Sequence, residues 1–409
     1  MSEGLREAGG SSGQTRSTGA GPDSYGAAGR REEPELVQLL TPDGERREHP
    51  DYSFTGGEED LRGFYRDMVL SRRIDAEATA LQRQGELGVW ASSLGQEAAQ
   101  VGSGRALSPQ DFVFPTYREH GVAWVRGIDP LRLLAMFRGI DHGAWDPQQS
   151  RFGPYAIIIG AQTLHATGYA MGVERDGLVG TGDPTRDTAV VGYFGDGATS
   201  QGDVNEAFIF ASSYNAPMVF FCQNNQWAIS EPSERQSRIP LYQRASGFGF
   251  PGVRVDGNDV LAVHAVTSAA LERARSGNGP TLIEAYTYRM GAHTTSDDPT
   301  KYRLADELEH WRLKDPITRL RTHLEAAGTA DAAFFAGVDA EAGRLAADLR
   351  TACLALPEPD LAETFDWVYA EQTPYLAAQQ ATYAEYAATF DDPSPSAELV
   401  DGPAAGGAR

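Results

Sequence analysis

From Thr188 to Met290 the chain alternates apolar runs of strand length with segments of helix length: Thr188 to Phe194, Gln201 to Tyr214, Met218 to Gln223, Val260 to Arg275 and Thr281 to Met290. The strand-length runs are apolar throughout, which suits strands covered on both faces. That pattern predicts an α/β fold, a mostly parallel sheet with helices on both faces. Open sheets of this kind take ligands at the carboxyl ends of their strands. Upstream, Leu61, Phe64, Tyr65 and Met68 fall at helical spacing, and the pattern runs through Ile74 and Leu81 until Gly85 and Gly88 stop it. A long amphipathic helix is expected there. From Pro316 onward the chain is rich in Ala, Leu and Glu and reads as helices, including Pro374 to Phe390.

Composition narrows the class. The 409 residues, 41% hydrophobic and 22% charged, are enough for a large core. No stretch approaches the roughly 18 consecutive apolar residues of a membrane span. Fifty-seven acidic side chains against 35 basic ones leave a net charge of −22, which repels a polyphosphate backbone and argues against nucleic acid as a partner. Cys222 and Cys353 stand alone, so neither a disulfide framework nor a zinc site is indicated. The polar start, with no apolar signal run, makes the cytoplasm the expected compartment. The ends, 1–35 and 391–409, are rich in Gly, Ser, Ala and Pro and are expected to be disordered tails.

The chemistry gathers at Gly195-Asp196-Gly197, followed after the span Ala198 to Gln223 by Asn224-Asn225. The first motif follows a strand and opens a helix, and the next strand returns the chain to the same sheet edge. Glycines at 195 and 197 allow a tight turn and close backbone approach, and a helix start presents N–H groups to an anion such as a diphosphate. Asp196 offers a carboxylate oxygen, Asn225 an amide oxygen and Trp227 a backbone carbonyl. With diphosphate oxygens and water these make the oxygen-only shell that Mg²⁺ prefers. No G-x-G-x-x-G follows a strand, and there is no Walker lysine, so dinucleotide and ATP readings have no local support.

This pairing resembles the thiamine diphosphate signature. From about Leu61 to Leu320 the chain is similar to the α subunit of the E1 component of 2-oxoacid dehydrogenase complexes. Phe114-Pro-Thr-Tyr-Arg-Glu-His-Gly121 is similar to that family's Y-R-E/D-H-G segment. The resemblance implies that Tyr117 flanks and Arg118 grips the diphosphate, and that Gly195, Asp196, Gly197, Ala198 and Asn225 cradle it with the metal. Ile158-Ile-Gly-Ala-Gln162 matches the loop whose backbone, at Ile159, meets the aminopyrimidine. Tyr288-Arg-Met-Gly-Ala-His293 gives Arg289 to the diphosphate and His293 to the reacting centre. An imidazole suits proton traffic near neutral pH. His120 is placed to assist, and His165 reads as packed in a Gly/Ala-rich helix.

The same resemblance implies residues 36–315 as the domain holding the diphosphate half of the cofactor, with 316–390 a helical extension. The thiazolium carbon of such a cofactor adds to a 2-oxoacid and takes up electrons as CO₂ leaves, and a lipoyl arm on E2 then receives the acyl group. Relatives of the two-chain type carry the ylid-forming glutamate on a β subunit, and no second α/β half is visible here, so an α₂β₂ heterotetramer with E1 β and an E2 acyltransferase is expected. Glu206, in the helix after the glycine motif, is expected to face the sheet or an α–α contact. Thr294-Thr295-Ser296 resembles the region phosphorylated in mitochondrial relatives and is taken as a gating element. Thr294 to Arg303 resembles branched-chain enzymes, whereas 158–162 resembles pyruvate enzymes and lacks most of the residues linked to a potassium site. Branched-chain 2-oxoacids are the expected substrates, with pyruvate and acetoin enzymes sharing every motif. A cofactor-holding assembly subunit is the non-enzyme alternative.

Overall fold

Two neighbouring strands, over 190–195 and 218–224, show why the chain layers as it does. Val191, Tyr193, Val219 and Phe221 join one buried cluster, while Val190, Phe194, Met218, Phe220 and Cys222 join another. Successive side chains of a strand point to opposite faces, so both faces are covered. The computed structural model describes residues 36–141, 145–357 and 361–391. The tails expected at the two ends lie outside these residues, apart from Asp391, as does His142.

The described chain begins with helices α1 (Glu58–Arg83) and α2 (Glu97–Arg105) and strand β1 (Phe112–Phe114). Next come α3 (His120–Val125), α4 (Pro130–Arg138), α5 (Pro147–Ser150), α6 (Ala161–Arg175) and strand β2 (Val190–Gly195). They are followed by α7 (Gly202–Ser213), β3 (Met218–Asn224), the paired β4 (Trp227–Ala228) and β5 (Glu231–Pro232), and the short α8 (Ser233–Gln236) and α9 (Arg244–Gly247). Then β6 (Gly252–Asp256), α10 (Val260–Arg275) and β7 (Thr281–Tyr286) complete the main sheet. Helices α11 (Ala305–Arg312), α12 (Pro316–Ala326), α13 (Ala332–Leu354) and α14 (Pro374–Asp391) follow.

The main sheet is five-stranded, in the order β1-β2-β3-β7-β6, and every pairing is parallel. Helices α1, α2 and α10 cover one face through Phe64, Met68, Val101 and Val263. Helices α6 and α7 cover the other through Ala166, Ala170, Val204 and Phe208. Local signals set the boundaries. Asp259 caps α10 by accepting from Leu261 N at 3.0 Å and Ala262 N at 3.1 Å. Gly85, at φ 86, supplies the left-handed turn that ends α1. Helix α13 lies against α1, with the Phe335 ring edge-on to Tyr65 at 5.0 Å and the Arg66 Nε 2.9 Å from Glu341.

Two strands of the main sheet were not legible in the sequence. β1 has only three residues, and Arg254 and Asp256 interrupt the apolar run of β6. The run expected to extend to Met290 leaves the ladder after Tyr286, because its backbone is taken up by turns: Thr287 N donates to Asn224 O at 3.0 Å and Met290 N to Leu94 O at 3.1 Å.

Candidate active site

Ladder register brings the first half of the site together. Gly195 pairs with Gln223, Gln223 with Ala285, and Ala285 with Val255. The next residues, Asp196 and Asn224-Asn225, therefore leave adjacent strands at one edge, with Arg289 three residues past the end of β7. The two glycines have different tasks, and neither adopts a positive φ. A Cβ on Gly197 would lie 2.7 Å from the Ala228 Cβ, whereas one on Gly195 would meet nothing within 4 Å. Gly197 permits close packing and Gly195 leaves open space. The motif does not open the α-helix directly. Residues Asp196–Ser200, with Ala198 buried, form a 3₁₀ turn closed by Thr199 Oγ1 donating to Asp196 O at 2.7 Å, and α7 starts only at Gly202.

Asp196 is buried, and that burial pushes its carboxyl up to about 6. Its Oδ2 receives one long side-chain bond, from Gln236 Nε2 at 3.3 Å. Asn225 is oriented by two contacts: its Nδ2 donates to Gln96 Oε1 at 3.1 Å, and its Oδ1 accepts from Trp227 N at 3.2 Å. The Trp227 carbonyl accepts from Arg289 Nη1 at 2.9 Å and keeps a second lone pair. Among the described residues no group of three or more His, Cys, Asp or Glu is placed to hold a metal. The available donors are one carboxylate, one amide and one carbonyl, which suits a hard cation that shares its shell with a ligand's oxygens.

The second half is a cluster around His293. Arg118 Nη2 lies 3.2 Å from His293 Nδ1 and donates to the His293 carbonyl at 2.8 Å. Arg289 Nη1 lies 3.3 Å from the same Nδ1. Guanidinium nitrogens only donate, so Nδ1 is the acceptor and the imidazole carries its proton on Nε2. Burial, then Arg118 and Arg289, hold this imidazole down at about 4. Asp297 Oδ2 accepts from His293 N at 2.8 Å and from the Tyr302 hydroxyl, which itself accepts from Arg289 Nη2 at 2.9 Å. Arg303 binds the carbonyls of Arg289, Gly291 and Met290. Tyr117 stands edge-on to His293, ring centres 6.3 Å apart.

The residues present fit a diphosphate with a cation. Arg289 is fully buried, its Nε has no acceptor, and burial lowers its guanidinium to about 10. Asp196, a buried carboxylate, likewise has no cation paired with it among the described residues. A cation and an anion would complete both, in the space Gly195 leaves free. Ile159 is exposed in the loop before α6, next to Gly160, which at φ 92 lies against Gln201 and Val204 at the start of α7. No hydrogen bond joins Ile159 to the other site residues.

Three expectations need correction. His120 does not face the reacting centre: it is buried, stacked on Trp90 at 4.1 Å, and its Nε2 faces the Ala91 carbonyl at 2.9 Å. That carbonyl fixes the tautomer, so the Tyr155 hydroxyl donates to Nδ1 at 2.9 Å, and burial holds the ring at about 3. His165 is exposed on α6 rather than packed, and Glu206 is exposed on α7 rather than turned to the sheet, which leaves of its two expected settings the α–α contact. Helix periodicity places Ala166 and Ala207 inward and leaves both polar neighbours outside. Sequence reading also missed Ser92, whose carbonyl takes Arg118 Nη1, together with Gln96 and Gln236. They come from loops and helix ends that carry no motif.

Residues 65–346 match the family described as Dehydrogenase E1 component. The chain belongs to that family. It is 48% identical to the 3-methyl-2-oxobutanoate dehydrogenase subunit alpha of Mycobacterium tuberculosis, over 85% of this chain and 92% of that one. It is 39% identical to the pyruvate dehydrogenase E1 component subunit alpha of Acholeplasma laidlawii, over 80% and 94%. With the same subunit of Bacillus subtilis it shares 41%, over 66% and 71%. The α/β architecture and the C-terminal helices are those expected of an E1 alpha chain.

Proposed function

We propose that this protein is the alpha subunit of a thiamine diphosphate-dependent branched-chain 2-oxoacid dehydrogenase, decarboxylating its substrate and passing the acyl group to lipoamide on E2. The observation that carries the substrate is the 48% identity with the 3-methyl-2-oxobutanoate enzyme across 92% of its length. The 39–41% identities with pyruvate dehydrogenase alpha subunits keep pyruvate as the second reading. Acetoin cleavage rests on shared motifs alone. An assembly role without turnover gives no reason for the Arg118–His293–Arg289 cluster.

In this reading Asp196, Asn225 and the Trp227 carbonyl hold Mg²⁺ against the diphosphate. Arg118, Arg289 and the Gly195–Ala198 turn bind the phosphates, while Tyr117 and Ile159 border the cofactor. Thiamine diphosphate supplies the carbon that adds to the keto group and accepts the electron pair released with CO₂. The chain's own task is orientation and proton handling. Both guanidinium groups face His293 Nδ1, so its Nε2–H is the donor left for the reacting centre. Phosphate charge between the two arginines offsets their repulsion and returns the imidazole toward its ordinary range, where it can carry a proton. Residues 36–315 form the diphosphate half and 316–390 its helical extension. A β subunit supplies the pyrimidine half and E2 the lipoyl arm, in an α₂β₂ assembly placed in the cytoplasm. Among the described residues no helix is long and apolar enough to cross a membrane.

Co-expression with a β chain, followed by dye reduction driven by 2-oxoacids, tests the proposal. Activity on 3-methyl-2-oxobutanoate far above that on pyruvate supports it. The reverse order supports the pyruvate reading, and cofactor binding without any turnover supports the assembly role.

A further inference from the structure

The wall between the Tyr117–His120 motif and the His293 loop is a short segment, residues 90–94, and a single carboxylate holds it in place. Asp75 is buried on α1 and accepts from Trp90 Nε1 at 2.8 Å, Ser92 Oγ at 2.6 Å and Ser93 N at 3.0 Å. Every one of these donors belongs to that segment. On its other side the segment carries both arms of the site. The Ser92 carbonyl takes Arg118 Nη1. Trp90 N donates to Thr295 Oγ1 at 3.1 Å, Thr295 N returns a bond to Trp90 O at 2.9 Å, and Met290 N donates to Leu94 O at 3.1 Å. Among the described residues no cation pairs with Asp75, and burial raises its carboxyl above the usual range. A buried anion satisfied only by neutral donors is an expensive way to hold a loop, and here it stands directly behind the wall of the site.

We propose that Asp75 is a positioning residue of the His293 site: by fixing residues 90–94 it sets where Arg118 and the 293–295 turn stand relative to each other. The inference rests on the E1 reading above and adds a residue that touches neither cofactor nor substrate.

The test uses the α–β enzyme loaded with thiamine diphosphate and Mg²⁺, at temperatures well below each variant's melting point. Three quantities are read: cofactor affinity by calorimetry, the rate of tryptic cleavage at Lys301 and Arg303, and kcat/KM. Asp75→Leu is expected to lower kcat/KM by about 10²-fold, as a misplaced catalytic group does, and to speed cleavage. Asp75→Asn keeps an oxygen for Trp90 Nε1 and Ser93 N and is expected to stay close to wild type in both. Ser92→Ala leaves Asp75 its other two donors and should weaken cofactor affinity by about 3- to 10-fold, in line with the net worth of one ordinary hydrogen bond. Wild-type affinity and cleavage in Ser92→Ala overturn the inference even if Asp75→Leu fails to fold. Asp75→Asn as impaired as Asp75→Leu also overturns it, since the charge rather than the placement would then matter. Wild-type enzyme that neither binds thiamine diphosphate nor turns over a 2-oxoacid refutes the functional reading instead, before any variant is compared.

Discussion

The two halves of the site are built by different physics. Asp196 and Asn225 sit at the ends of adjacent parallel strands, so the backbone ladder alone makes them neighbours and few side chains are needed to keep them there. Arg118, Arg289 and His293 reach each other from separate segments, held by Ser92, Asp297 and Arg303 through side chain to backbone bonds and by Tyr302 through its hydroxyl, which accepts from the Arg289 guanidinium. The ladder end is rigid by construction, whereas the cluster lasts only as long as its surrounding network does. Damage to the first should appear as lost affinity with the fold intact, loss of His293 itself as lost turnover, and damage to the supports of the two arginines as a fall in both.

The sharpest way to break this contrast is Asp196→Ala. On the proposed reading this removes a magnesium ligand and should lower magnesium-dependent cofactor affinity by about 10²-fold or more, since even partners that only orient metal ligands are worth roughly 10- to 100-fold. The melting temperature of the cofactor-free chain should not fall, because the deleted carboxylate is buried without a cation. Calorimetric titration and a thermal scan read both. Replacing His293 by Ala should cut lipoyl acylation by about 10²-fold, the usual loss for a positioned acid/base group, with cofactor affinity nearly intact; an equal fall in affinity would make the residue structural.

Smaller effects separate the two glycines. Gly197→Val forces a side chain into Ala228 and should cost about 1–3 kcal/mol in urea unfolding, as overpacking does. Gly195→Ala should leave stability within about 0.5 kcal/mol, its damage confined to cofactor binding. The last contrast is in pH. His120 is held at about 3 and His293 at about 4 in the folded chain, against 6.5 for an open one. Between those values and 6.5 the unfolded chain binds more protons, so stability rises with pH across that window and is lost as pH falls, by about 1 kcal/mol per pH unit for the fully buried His120. Denaturation midpoints from pH 4.5 to 6.5 should show a flatter slope in His120→Gln than in wild type.

What could be read in the chain follows the same division. Helix α10, expected over Val260 to Arg275, is observed over those residues, and β3 and α7 differ from expectation by a residue at each end or less, because their apolar periods are long and uninterrupted. The short β1 and the charged β6 escaped, since three residues carry no period and a buried Arg254–Glu284 pair reads like surface. His165 and Glu206 were misplaced for a related reason: composition says that a helix is small-sided, but its facing depends on which layer it meets.

By itself the sequence determined the parallel α/β frame, the strand ends that bring Asp196 beside Asn225, and the types of residue available for chemistry there. Hydrophobic periodicity and backbone register are local properties and need no knowledge of distant segments. Only the tertiary structure decided that His120 is locked in the core while His293 stands between two guanidinium groups with its proton on Nε2, and that Asp75 anchors the wall they share. Protonation, tautomer and loop position depend on burial and on partners far away along the chain.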